Sequence, residues 1–155
     1  AALKVYYVPF IPARRMSVAN IGIAVSTLAS GSALLGVYAS ASAGKGEDVP
    51  GARLVAGASS AGVNSTGTKV VSLNGYYLEA QTLYFLAVLS DVAPVIRAVA
   101  VGGQVPLLGF TDNSTAVISN MQETVASFAL PAVAGTTTKV SSANPAIYVN
   151  ETPVS

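Results

Sequence analysis

Between Met16 and Gly44 the chain carries no charged side chain, and the apolar residues in this stretch recur at every second position. Ile21, Ile23 and Val25 fall on one parity while Gly22, Ala24 and Ser26 fall on the other, the period of a pleated strand with one buried face. An uncharged run this long is long enough to cross a bilayer as a helix. Its two-residue period and its Ser, Gly, Thr and Asn content place it in a sheet instead. A second apolar run, Leu83 to Val101, is interrupted by Asp91, Pro94 and Arg97. Each charge near the middle of a spanning helix costs about 2.5–3.5 kcal/mol, so no membrane partner is expected.

A chain of 155 residues suits one domain and buries roughly 70% of the surface its unfolded form exposes, enough for a core without a metal or disulfide staple. A single domain over residues 1–155 is therefore expected, cut from a longer chain. Cysteine and histidine are both absent. That inventory removes thiolate nucleophiles, Ser-His-Asp arrangements, and Cys- or His-ligated zinc within this chain. Eight Lys and Arg against seven Asp and Glu leave a net charge of +1 and no basic cluster beyond Arg14-Arg15, so nucleic acid is not an expected partner. Charged residues make up 10% of the chain, against about 25% in ordinary globular domains. So sparse an ionic coat favours association, and a homo-oligomer is expected.

Strand-like runs occur at Lys4 to Phe10, Met16 to Thr27, Leu34 to Ala39, Arg53 to Ser59, Lys69 to Leu73, Tyr76 to Glu79, Leu83 to Ser90, Val95 to Val101, Ala116 to Ile118, Thr124 to Leu130 and Ala146 to Val149. Turn-formers separate them, among them Pro50-Gly51, Thr66-Gly67 and Asn74-Gly75, and Asp112 to Gln122 reads as a loop. Short strands at this spacing predict an all-β, antiparallel β-sandwich or barrel. Asn74-Gly75 lies between two alternating runs and is the strongest hairpin signal, because both residues accept the positive φ of a type I′ turn. Leu83 to Leu89 is apolar on both parities, as in a strand covered on both faces. The apolar parity switches between Val18 and Ile21, which predicts a bulge or bend. The last run is expected to add to a sheet edge, in its own chain or in a neighbouring copy.

Tyr7-Val8-Pro9-Phe10, the alternating Val18 to Val25 run, Gly31-Ser32, Leu35-Gly36-Val37-Tyr38, Pro50-Gly51, Thr66-Gly67 and the Leu78 to Val88 segment resemble a small β-sandwich module of tailed bacteriophages. Such modules occur in virion structural proteins: tail fibres, tail spikes, head fibres and receptor-binding proteins. The likeness covers about the first 90 residues and departs from the pattern at Gln81, where a turn glycine is common, and at Phe85, where tryptophan is frequent. It implies a jelly-roll-like sandwich, a homotrimer, and a place on the virion surface among other virion proteins. It also implies either grip on a host surface receptor or glycan, or decoration of the capsid.

Glycan binding requires an aromatic face for a sugar ring with amide and carboxylate partners for its hydroxyls. The candidate residues are Tyr76 and Tyr77 beside the Asn-Gly pair and Asp112-Asn113 in the polar loop, with Asn64 and Asn120 as further amides. The alternative reading makes the tyrosines sandwich core and the Asp-Asn pair turn chemistry. For an enzyme only the carboxylates Glu79, Asp91, Asp112 and Glu123 remain, and nothing in their spacing recommends a glycosidase pair. The acidic residues are scattered apart from Glu47-Asp48, with no calcium-loop pattern. The expectation is a non-enzymatic protein with no metal and no cofactor.

Overall fold

The computed structural model describes residues 3–42, 48–99, 120–140 and 144–151. Every helix or strand among them is a strand: β1 Leu3–Phe10, β2 Met16–Thr27, β3 Ser32–Ser42, β4 Asp48–Ala56, β5 Ala61–Gly62, β6 Gly67–Leu78, β7 Tyr84–Ser90, β8 Val95–Ile96, β9 Ala98–Val99, β10 Asn120–Val125, β11 Thr138–Val140, β12 Asn144–Pro145 and β13 Ile147–Glu151. The pairings between these strands are antiparallel. A seven-stranded sheet runs β11-β10-β1-β7-β3-β4 with β5 beside β3, and a four-stranded sheet runs β13-β2-β6 with β8 beside β2. The all-β, antiparallel expectation holds. The two sheets meet through one apolar cluster, to which β2 contributes Val18, Ile21, Ile23 and Val25, β6 contributes Val71 and Leu73, and β3 contributes Leu35 and Val37.

The central strand of the large sheet is β7, and its apolar run on both parities serves two cores. Tyr84, Leu86 and Val88 point into the cluster between the sheets. Phe85, Ala87 and Leu89 point the opposite way, into a second cluster with Val5, Tyr7, Tyr38 and Met121. At roughly 1.5–3 kcal/mol for each large apolar side chain fully buried, leaving that second face wet would forfeit several such terms.

The cover is the connection from β10 to β11. Thr124 to Leu130 does not form the expected strand; β10 ends at Val125, and residues 126–137 leave the sheet and cross its outer face. Phe128, Leu130 and Ala134 lie on the second cluster. The strap is held at the far edge strand β4, where Arg53 N donates to Ala132 O at 2.9 Å and Ala134 N donates to Gly51 O at 2.9 Å. Tyr38 Oη donates to Pro131 O at 2.7 Å, and Arg53 Nη1 donates to Leu130 O. Gly36 lies directly beneath, where a Cβ would stand 2.9 Å from Leu130 Cδ1 and 3.0 Å from Val55 O.

The sequence reading fails instructively at Asn74-Gly75. No reversal occurs there: Lys69 to Leu73 and Tyr76 to Leu78 belong to one strand, β6, which runs beside β2 throughout. Both residues do adopt left-handed backbone, with φ of +55° and +72°. The register passes from Val18↔Tyr76 to Asn20↔Ser72, so three residues of β6 face Ala19 alone. This bulge is the one that the parity switch between Val18 and Ile21 predicts, and the Asn-Gly pair supplies its positive φ. Two sequence signals describe a single feature.

Pro50-Gly51 likewise lies inside β4 rather than in a turn, because β4 is an edge strand that tolerates a missing N–H. The expected strand over Arg53 to Ser59 starts earlier, at Asp48, and β3 is longer than Leu34 to Ala39. Asn120 to Gln122, expected to be loop, open β10. Ala116 to Ile118 lies outside the described residues. The last run forms β13 and pairs with β2 of its own chain.

Candidate functional site

Among the described residues, the exposed aromatic is Tyr77, which sits where β6 ends. Ser17 and Tyr77 are register partners, and Met16 and Leu78 follow, so continuing the ladder one step brings Arg15 opposite Glu79. Arg15 Nε reaches Glu79 Oε1 at 3.1 Å, and the guanidinium carbon lies 5.0 Å from the centre of the Tyr77 ring. Tyr77 is 59% exposed, while its neighbour Tyr76 is half-buried against the inter-sheet core. The backbone beneath is fixed, since Glu79 N donates to Tyr84 Oη at 2.9 Å and Ser17 Oγ donates to Gly75 O at 3.2 Å. An exposed cation–π contact of this kind contributes about 0.5–1 kcal/mol and holds the ring at a set angle. Arg14 pairs with Glu151 of β13 at 2.6 Å. This end of the small sheet thus offers one aromatic ring with guanidinium and carboxylate groups beside it.

Of the residues singled out in the sequence, only Tyr77 meets the requirements of a sugar platform. Tyr76 belongs to the core boundary, so the core alternative holds for it. Asn64 is exposed in the connection between β5 and β6. Asn120 is fully buried in β10 and does not present its amide at the surface. Asp112 and Asn113 lie outside the described residues. The carboxylates stand in separate settings: Glu79 pairs with Arg15, Asp91 Oδ1 accepts from Ser32 N at 2.7 Å, and Glu123 Oε2 accepts from Tyr7 Oη at 2.7 Å. Among the described residues no three of His, Cys, Asp and Glu are grouped as metal ligands.

A cleft of about 390 Å³ opens near the other end of β2, where Val25 pairs with Ile96 of β8, and is lined by β1, β7, β8 and the connection between the last two. Its floor is uncharged and mostly apolar: Val88 is 2% exposed, and the half-buried Tyr6, Val92 and Ile96 rest on the inter-sheet core, with the Tyr6 phenol as the one polar side-chain group. Lys4, Asp91 and Ala93 form the exposed rim. Sequence reading missed this place because β1, β7 and β8 are brought together only by long-range pairing. The one local trace is the polar pair Ser90-Asp91 ending an apolar strand.

Comparison with protein-family models, with curated proteins and with solved structures finds no match to this chain.

Proposed function

We propose that the protein is a non-enzymatic structural module of a bacteriophage particle, exposed on a tail or head appendage, that binds a host surface glycan. The observation that carries this reading is the Tyr77 ring, 59% exposed, with the Arg15 guanidinium over one face and Glu79 paired to that guanidinium. Sugar rings stack on such faces while charged groups bond their hydroxyls. Gln81, where a glycine is common in the phage pattern, takes φ +54°, a conformation glycine adopts without strain. In this reading the two packed sheets form a jelly-roll-like sandwich, and three copies associate about a common axis. The sparse charge and the exposed Leu28, Val70, Val95 and Val133 are the support for association.

The test measures binding of the purified chain to host cells and to phage heads. Saturable binding to cells, lost in Tyr77→Ala with folding intact by circular dichroism, is the expected result. Binding to heads with none to cells would replace host recognition by capsid decoration. Sustained release of reducing ends from host polysaccharide would overturn the non-enzymatic reading. Light scattering that finds only single chains at working concentration would remove the trimer.

A further inference from the structure

The cleft between the sheets has an ordered polarity that selects for a particular kind of occupant. Nothing charged lies on its floor, where the Tyr6 phenol is the one polar side-chain group, so a hydroxyl placed out of its reach would lose its water partners at a cost of roughly 1–3 kcal/mol. Ser90 lines the wall, but its Oγ already donates to Ser32 O at 3.1 Å and accepts from Val92 N at 3.4 Å. The floor accepts a methyl group or other small apolar end. At the rim the situation reverses. Asp91 uses Oδ1 for the Ser32 amide, leaving Oδ2 as an acceptor, and among the described residues Lys4 Nζ has only a long 3.5 Å contact to Gln122 Oε1. Among the described residues, Lys4 and Asp91 form no ion pair with each other. A plain alkyl chain would leave both unused, and an anionic head would satisfy Lys4 while facing Asp91. A hydroxyl both donates and accepts, so neighbouring hydroxyls satisfy the ammonium and the carboxylate together.

We propose that this cleft is a subsite for an N-acetylated neutral sugar, with the acetamido methyl between Tyr6, Val88 and Ile96 and the ring hydroxyls on Lys4 and Asp91. The inference rests on the glycan-binding reading above and adds a second contact point, at the opposite end of β2 from Tyr77. The volume lies within the roughly 300–1,000 Å³ of ligand sites and admits one sugar residue with its acetyl group.

The experiment is a saturation-transfer and shift-perturbation NMR titration of the intact chain with the methyl glycosides of N-acetylglucosamine and of glucose. The expected result is strongest transfer at the acetyl methyl, shifts at Tyr6 and Ile96, and binding at least tenfold weaker for the glucose compound. Lys4→Ala and Asp91→Ala should each weaken binding about tenfold, as loss of a hydrogen bond to a charged group does. Ala93→Trp, at an exposed rim position, should block entry with the fold unchanged by circular dichroism. Equal response to the two glycosides, binding unaffected by Ala93→Trp, or occupation by 3-phenylpropionate but not by the acetylated sugar would each overturn the proposal. If cells are bound in a Tyr77-dependent manner and the acetylated glycoside leaves the cleft unperturbed, this subsite fails while the proposed function stands. If cells are not bound but the glycoside still enters, the converse holds.

Discussion

Tyr7, with no exposed surface of its own, donates from its hydroxyl to Glu123 Oε2 at 2.7 Å, joining β1 to β10 on the strap side of the large sheet. Its ring also meets Tyr38 edge to face, with centroids 5.1 Å apart. Tyr7→Phe keeps the ring contact and removes the donor from a half-buried carboxylate. The expected cost is about 1.5–3 kcal/mol, the range for hydrogen bonds to charged groups. Urea denaturation should show it as a lower midpoint with an unchanged slope.

Burial also governs how these tyrosines respond to alkali. Desolvation pushes the Tyr38 phenol up to about 12, although the nearby Arg53 opposes it, and Tyr7 is raised by desolvation and by its bond to Glu123. A phenol whose pKa is higher folded than unfolded keeps its proton longer in the native state. The stability it contributes is fully present below the unfolded value near 10 and is lost as pH rises toward about 12 for Tyr38. Tyrosinate absorbance from the two core rings should therefore appear together with unfolding. Their ionisation in a still-folded protein would contradict this.

The Asn74-Gly75 bulge makes a sharp contrast between two substitutions. A Cβ on Gly75 would stand 3.4 Å from Ser17 Oγ, an ordinary contact, so the penalty for Gly75→Val lies in holding a β-branched residue at φ +72°. About 1–2 kcal/mol or more is expected. Asn74→Gly places the more permissive residue at φ +55° and should cost little, although it removes the contact of Asn74 Oδ1 with Ser72 Oγ. Equal losses in thermal denaturation would argue against backbone strain as the cause.

Tyr148 of β13 lies over Gly22 of β2, where a Cβ would stand 2.5 Å from Tyr148 Cζ and 2.8 Å from Lys69 O. The Tyr148 hydroxyl is buried there with no hydrogen-bond partner among the described residues. Tyr148→Phe is expected to be neutral or stabilising, since it removes a desolvated polar group and keeps the ring. Gly22→Ala should destabilise by about 1–3 kcal/mol, because the new methyl meets backbone as well as the ring. The pair can be compared by calorimetry, and a destabilised Tyr148→Phe would show that the hydroxyl has a partner.

The parts of the fold legible in sequence are those set by local period. β1, β2 and β7 appear close to their true bounds because alternation within a strand records which face is covered, and β7 shows both faces covered by being apolar throughout. The misreadings arise where one local signal serves two geometries. Positive φ at Asn74-Gly75 fits a turn and a bulge equally, and only the register of β2 against β6 distinguishes them. Phe128 and Leu130 look like a continuing strand because a strap covering an apolar face needs the same side chains. At the candidate sites, Tyr77 was legible as an aromatic beside a turn signal. Its partner Arg15 was not, being 62 residues away and aligned only after the bulge sets the register.

The strap has a consequence for where new specificity can arise in a chain like this. Since residues 126–137 roof one side of the large sheet and the small sheet covers much of the other, a ligand can reach that sheet only where the cover ends, as at the cleft beside Tyr6 and Val88. Innovation is left to the margins. The Tyr77 ring and the cleft lie near the two termini of β2, and drift there reaches the doubly covered β7 only at its last residues, Val88 to Ser90.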